Sequence, residues 1–201
     1  MRILSLIISS IFHPTFIPLI GFLLLYSLTG YAVYLPKDVF WFSIMVIVQF
    51  TILIPVGVIY FLFWRKKITS LELSNRQERP LPLVINLISY AVSFLVFRYL
   101  QYPSLIVNFF GVIVVSAAFS MIVSLYYKLS LHMVAWGTLV GVLISISVRM
   151  EIGLHLLVSL VLILTAVIAS ARLWLNEHDL PQVAWAWGTS SILSFLLMIF
   201  L

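Results

Sequence analysis

Ionisable side chains cluster between the last two apolar segments of this chain, where Arg172, Glu177, His178 and Asp179 fall within eight residues. Only 8% of the chain is charged, so such a cluster is unusual. An arginine can hold a phosphate through paired N–H donors, and a neutral histidine can attack phosphorus. The spacing of Arg172 and His178 therefore suits nucleophilic phosphoryl transfer. The alternative is an arginine that extends to the membrane surface beside an interfacial histidine.

Two other polar segments carry residues of the same kinds. Ser130 precedes His132 by two residues at the start of an apolar segment. A hydroxyl and an imidazole at a helix N-terminus suit an anion, because unpaired backbone N–H groups point there, although such a serine can also be a simple N-cap. Arg79 is followed by Pro80 at the start of another apolar segment, where its guanidinium can reach a phosphate. The basic run 65–67 instead indicates an anchor to anionic headgroups.

The composition places most of the chain in lipid. The 201 residues are 64% hydrophobic, with a mean hydropathy of +1.22. Soluble domains have about a quarter of their residues charged, so this chain is not one of them. The absence of cysteine excludes disulfides and thiolate metal sites. In a membrane protein, a net charge of +5 indicates how the chain is oriented in the bilayer, or a phosphate-bearing substrate, or both. It does not indicate nucleic-acid binding.

Apolar runs of about 20 residues predict membrane-spanning helices. We predict an all-α, polytopic membrane bundle of six to seven spans, forming a single integral membrane domain over residues 1–201. The first run lacks a cleavage site and contains His13-Pro14, so it is either one uncleaved span or a short interfacial helix up to Phe12 followed by a span from Pro14. The predicted spans are 4–29, 40–64, 83–100, 105–127, 132–149, 154–174 and 183–201.

Counting crossings assigns each connection to one side of the membrane. The side that holds the N-terminus, side A, also receives 65–82, 128–131 and 175–182. It carries 8 of the 11 basic residues: Arg2, Arg65, Lys66, Lys67, Arg76, Arg79, Lys128 and Arg172. The three polar segments are therefore expected on one face. The positive-inside rule would make that face cytoplasmic.

Taken together, the three segments resemble the type 2 phosphatidic acid phosphatase superfamily. Its motifs are K-x6-R-P, P-S-G-H and S-R-x5-H-x3-D, all on one membrane face. The spacing also fits, with 53 residues from Arg79 to His132 and 46 from His132 to His178. The resemblance covers about residues 65–190. The matching positions are Arg79, Pro80, Ser130, His132, Arg172 and His178.

The resemblance implies a membrane lipid phosphatase. Arg79, Ser130 and Arg172 would bind the phosphate, His178 would attack phosphorus to form a phosphohistidine, and His132 would protonate the leaving alcohol. No metal or cofactor is implied. The substrate would be a membrane lipid phosphate or diphosphate, such as phosphatidate, phosphatidylglycerol phosphate or a polyprenyl diphosphate. The expected location is the bacterial inner membrane. Many relatives act at its external face, whereas the positive-inside rule places side A in the cytoplasm, so the side that the site faces stays open.

The chain departs from the family motifs at five positions, which are Glu72, Leu129, Leu131, Ala171 and Gln182. The gravest is Gln182, which replaces the aspartate that orients the nucleophilic histidine in the family. A glutamine can accept the imidazole N–H but brings no charge. Asp179 and Glu177 are possible substitutes. A residue adjacent to His178 in a helix would point away from it, whereas in a loop it need not.

These departures leave two rival hypotheses open. The first is a catalytically degenerate relative that binds or moves a lipid headgroup, or contacts another membrane protein. The second is a small transporter or assembly factor outside the family, in which His132 and His178 do not meet. His13 is a further candidate for a functional residue, because an ionisable side chain within a membrane span is costly.

Overall fold

The protein is an all-helical integral membrane protein in a computed structural model, which describes residues 2–71, 73 and 75–201. Within these residues, seven helical segments are long and apolar enough to cross a membrane, which confirms the predicted spans. Large apolar side chains such as Trp41 (65% exposed) and Ile163 (61% exposed) face outwards, as a lipid solvent requires. The spans are Arg2–Leu28, Lys37–Trp64, Pro80–Tyr99, Ser104–Ser124, Leu131–Arg149, His155–Trp174 and Leu180–Phe200.

The first span is interrupted near His13. It consists of α1 (Arg2–Ile11), a 3-10 turn (Pro14–Phe16) and α2 (Ile17–Leu28). Proline disfavours the helical conformation of the residue before it, so the break at His13 follows from Pro14. The prediction of a short helix up to Phe12 is close to what is found, since α1 ends one residue earlier.

The second span also contains a local change of helix type. After the short α3 (Tyr31–Tyr34) it is built from α4 (Lys37–Ile47), a π-helical segment (Val48–Leu53) and α5 (Ile54–Trp64). Pro55 explains the wider turn, because its ring would clash with the carbonyl of Thr51 in a regular α-helix. In the π segment the N–H of Ile54 donates to the carbonyl of Gln49, five residues back.

The remaining spans are uninterrupted helices. A 3-10 turn (Arg76–Glu78) leads into the first of them, and Pro80 at its first position explains why it begins three residues before the predicted start. These helices are α6 (Pro80–Tyr99), α7 (Ser104–Ser124), α8 (Leu131–Arg149), α9 (His155–Trp174) and α10 (Leu180–Phe200).

The chain divides into two compact units. The terminal unit comprises residues 1–14 and 122–201 and therefore contains α1, α8, α9 and α10. The middle unit comprises residues 15–121. The prediction of a single domain stays a prediction.

Helix α8 is the central element of the terminal unit. In its most apolar stretch 72% of the residues are buried, against 28–39% in the other spans. It packs against α9 and most closely against α10. A Cβ atom at Gly141 would overlap the backbone carbonyl of Ser191, and one at Gly137 would lie 2.7 Å from the carbonyl of Trp187. The two glycines thus let the backbones of α8 and α10 touch, as in other small-residue interfaces between membrane helices.

The middle unit has an aromatic core. Phe22, Phe97, Phe109 and Phe110 are fully buried, and Gly21 packs directly against the ring of Phe109. Two apolar residues of the loop before α6, Ile68 and Leu73, are buried with Leu62 of α5. This contact holds the loop against the unit.

Candidate functional site

The end of α9 is fixed by a Schellman motif. Asn176 adopts a left-handed conformation (φ 56°), which asparagine tolerates better than other residues with a side chain. Its N–H donates to the carbonyl of Leu173 at 3.0 Å, and the N–H of Glu177 donates to the carbonyl of Arg172 at 3.3 Å. The chain therefore turns sharply at Asn176, one turn after Arg172.

The start of α10 is fixed by a side-chain cap. Asp179 has an extended backbone, and its Oδ1 accepts the N–H of Gln182 at 2.8 Å. Pro181 follows within the first turn, where its missing N–H is not needed. His178 is thus the single residue between the two motifs, and both of its neighbours are held by backbone hydrogen bonds.

His178 forms a hydrogen-bonded series with Gln182 and Asp179. Its ring is buried (8% exposed), and Nδ1 lies 2.9 Å from Gln182 Oε1. The Nε2 of Gln182 donates to Asp179 Oδ2 at 3.0 Å. A carboxylate only accepts hydrogen bonds, so this contact sets the orientation of the amide. Gln182 Oε1 must then accept from Nδ1–H of His178, which leaves the lone pair of the neutral imidazole on Nε2.

His132 lies at the start of α8 and contacts the end of α1. Its Nε2 is 3.0 Å from the carbonyl oxygen of Ser9, and one turn further Trp136 Nε1 donates to the carbonyl of Phe12 at 3.1 Å. The last carbonyls of a helix have no partner within it, so the two side chains of α8 satisfy the end of α1. Because a carbonyl can only accept, Nε2 of His132 carries the proton. The ring of His13 stands perpendicular to that of His132, with centroids 5.4 Å apart.

Arg172 joins the same group from the last turn of α9. It is 2% exposed, and its Nη1 is 3.4 Å from the hydroxyl of Ser9. Arg172, His13 and His178 all lie near His132. The terminal unit therefore places one predicted histidine, His132, and one predicted arginine, Arg172, against Ser9.

Ser130 contributes a buried hydroxyl next to this group in the sequence. It is the N-cap residue of α8 and is fully buried, yet its side chain does not cap the helix. Among the described residues, none forms a hydrogen bond with its hydroxyl. A buried polar group without a partner costs about 1–3 kcal/mol, so this serine calls for an explanation.

Arg79 lies in the middle unit. It is 2% exposed, and its Nε donates to the carbonyl of Leu73 at 2.8 Å. Its predicted part in phosphate binding stays a prediction. Glu72, which takes the place of the motif lysine, lies outside the described residues.

Sequence reasoning missed Ser9 altogether. Its only signal is that Ser5 and Ser9, four residues apart, make one polar stripe on the apolar helix α1, and both are buried. His13 was recognised as a candidate only from its place within a span. The described part of the chain brings no three His, Asp or Glu side chains together as metal ligands.

Comparisons with protein-family models, with curated proteins and with solved structures each returned no match. The resemblance to the phosphatase superfamily thus rests on the residues of this chain.

Proposed function

We propose that the protein is a membrane lipid phosphatase in which His178 is the nucleophile. The observation that carries this proposal is the hydrogen bond from Nδ1 of His178 to Gln182, which puts the lone pair on Nε2. A histidine held as this tautomer is the form that attacks phosphorus. The neighbouring Arg172 supplies positive charge for the phosphate, and such charge stabilises a phosphoryl-transfer transition state.

In the first step Nε2 of His178 attacks phosphorus, and the bond from phosphorus to the lipid oxygen breaks. His132 gives a proton to that oxygen, so the lipid leaves as an alcohol. Because Nε2–H of His132 donates to the carbonyl of Ser9, this proton leaves from Nδ1, so His132 must enter the step protonated on both nitrogens and leave it as a neutral imidazole. In the second step water attacks phosphorus, and the bond from phosphorus to Nε2 of His178 breaks. Nδ1 of His132 takes a proton from the water, so phosphate is released and both histidines return to their starting state.

The substrate we propose is a phosphate or diphosphate monoester of a membrane lipid. The acyl or prenyl chain would remain in the bilayer, since α8, α9 and α10 all span it. Ser130 and Arg172 would bind the phosphate oxygens. A hydrogen bond from Ser130 to the substrate would also account for its buried hydroxyl. The membrane location we propose is the bacterial inner membrane.

A second function is favoured by one specific observation, the neutral side chain at Gln182. Without a carboxylate on Nδ1, a phosphate could be bound without being cleaved. The protein would then bind or move a lipid headgroup, or interact with another membrane protein.

Phosphate release by the purified protein in detergent separates the two functions. Phosphatidate, phosphatidylglycerol phosphate and a polyprenyl diphosphate are offered without added metal. We expect release from at least one of them, and we expect His178→Ala to abolish it. His155→Ala is the matched control, because His155 is an exposed histidine of the same unit at the start of α9.

A labelled lipid phosphate provides a second readout. Rapid quenching should trap the label on the wild-type protein and on His155→Ala, but not on His178→Ala. Binding of the lipid without release or labelling would refute the phosphatase and support the binding protein. Full activity of His178→Ala would refute the assignment of the nucleophile.

A further inference from the structure

The hydrogen bonds between Gln182 and Asp179 extend the candidate site by one residue. Asp179 holds Gln182 with both carboxylate oxygens, one on the backbone N–H and one on the side-chain amide. We propose that Asp179 is a positioning residue, which acts through Gln182 to fix the tautomer of His178. The catalytic consequence rests on the proposed function, whereas the tautomer does not.

The second hydrogen bond is more than a helix cap requires. An N-cap residue needs one oxygen for a backbone N–H, and serine, threonine, asparagine or aspartate can provide it. Here Oδ1 of Asp179 makes that bond at 2.8 Å. Oδ2 is left for Nε2 of Gln182 at 3.0 Å, and only a carboxylate has two acceptors for two donors. The cap and the orientation of the amide are thus separate tasks of one side chain.

This separation makes Asp179→Asn a sharp test. The new amide keeps the cap, because its oxygen still accepts the N–H of residue 182. Its nitrogen, however, now faces the side chain of Gln182 as a donor. Gln182 must turn its oxygen towards that donor and its nitrogen towards His178. Nδ1 of His178 then has to accept, and the proton moves to Nε2, where the nucleophilic lone pair was.

A double variant should reverse this change. In Asp179→Asn combined with Gln182→Glu, one oxygen of the new carboxylate accepts from the new amide. The other oxygen accepts from His178, so Nδ1 must again carry the proton. Both variant chains keep the helix cap, but only the double variant keeps the charge of the wild type. The double variant restores both the direction of the hydrogen bond to His178 and the negative charge. Its recovery would therefore identify these two features together as the cause of the loss in Asp179→Asn.

The measurement is ¹⁵N NMR of the histidine rings in detergent, with the signals of His178 identified by their loss in His178→Ala. We expect Nδ1–H in the wild type, Nε2–H in Asp179→Asn, and Nδ1–H again in the double variant. Glu177→Gln is the matched control. It removes one negative charge from the residue that precedes His178, whereas Asp179 follows it, and it should leave the tautomer unchanged. An Nε2–H tautomer in the wild type, or Nδ1–H in Asp179→Asn, would overturn the proposal.

Phosphate release measured on the same samples tests the catalytic consequence. In a serine protease the wrong histidine tautomer costs about 10⁴ in rate, so we expect Asp179→Asn to lose between about 10² and 10⁴. The double variant should regain most of that loss, and Glu177→Gln should stay near the wild type. If the tautomers follow the expectation but no chain releases phosphate, the role of Asp179 stands and the proposed phosphatase fails. Unchanged turnover in an Asp179→Asn sample with the Nε2–H tautomer would refute the catalytic consequence.

Discussion

Replacing Gly141 by alanine should separate α8 from α10 and disturb the site at their ends. A Cβ atom at this position would overlap the carbonyl oxygen of Ser191 and lie 2.9 Å from the backbone nitrogen of Phe195. Both neighbours are backbone atoms, so no side-chain rotation can relieve the overlap. The two helices must move apart. His132 stands at the start of α8 and His178 immediately before α10, so their separation changes with the helix distance.

The size of the effect follows from two opposing contributions. Extra volume in a packed interior costs about 1–3 kcal/mol, and more where the backbone has to shift. Alanine gains up to about 1 kcal/mol over glycine in a helix. Gly188→Ala measures that gain alone, because nothing lies within 4 Å of a Cβ at this position of α10. Because the helical gain is common to both variants, they should differ by the packing cost alone, roughly 1–3 kcal/mol or more in the free energy of unfolding.

Unfolding in mixed micelles of a mild detergent and a denaturing one provides that free energy for both variants. Phosphate release is measured on the same samples. We expect Gly141→Ala to lose stability and turnover together, while Gly188→Ala keeps both. Equal stability of the two variants would show that the α8–α10 contact is not as close as the structure has it. Lost stability with unchanged turnover would show that the site does not depend on this helix pair.

Three further predictions concern the site and its surroundings. Ser130→Ala should leave stability unchanged or raise it by up to about 1–3 kcal/mol, and it should lower turnover. Ser194→Ala removes another buried hydroxyl without a described partner, so it should have the same effect on stability and leave turnover intact. Asn176→Gly should be neutral or stabilising and Asn176→Val should cost about 1–2 kcal/mol in a thermal melt, because residue 176 has a left-handed backbone. The backbone N–H of Thr69 donates to Glu78 at 2.7 Å and holds the pKa of this carboxyl below its ordinary value of 4.5. The resulting stabilisation is present above pH 4.5 and is lost as the pH falls through the lower folded-state pKa, so Glu78→Gln should flatten that part of the stability–pH curve.

The spans could be predicted because their length and apolar character are local properties of the sequence. Where the prediction missed, a proline explains the difference. Pro14 divides the first span, and Pro80 starts the third earlier than the apolar run indicates. The division at residue 14 into two compact units could not be predicted, since it depends on which helices pack together.

The candidate site was predictable only in part, for a similar reason. Arg172, His132 and His178 were proposed from residue type and spacing, and the structure places all three in the terminal unit. Ser9 could not, because its role follows from the docking of α1 onto α8 and α9. Whether Asp179 could support His178 depended on the local structure, since a neighbour in a helix would point away from the ring and a neighbour in a loop need not. Asp179 instead has an extended backbone (ψ 167°) at the start of α10, so its carboxylate folds back over Gln182 and reaches the imidazole through it.

Gln182 is the departure that argues most strongly against catalysis, and the position of Asp179 weakens that argument. A carboxylate placed directly on the buried ring of His178 would lose much of its hydration, which is costly for a charged group. Asp179 is exposed at the N-terminus of α10, where water and the helix dipole both favour a negative charge. The amide of Gln182 carries the orienting effect of that charge inward by one hydrogen bond. Placing a carboxylate at position 182 while Asp179 is still present should impair the site, because two acceptors would then face each other about 3.0 Å apart. A chain with Gln182→Glu should therefore be active only when Asp179 is changed to asparagine as well.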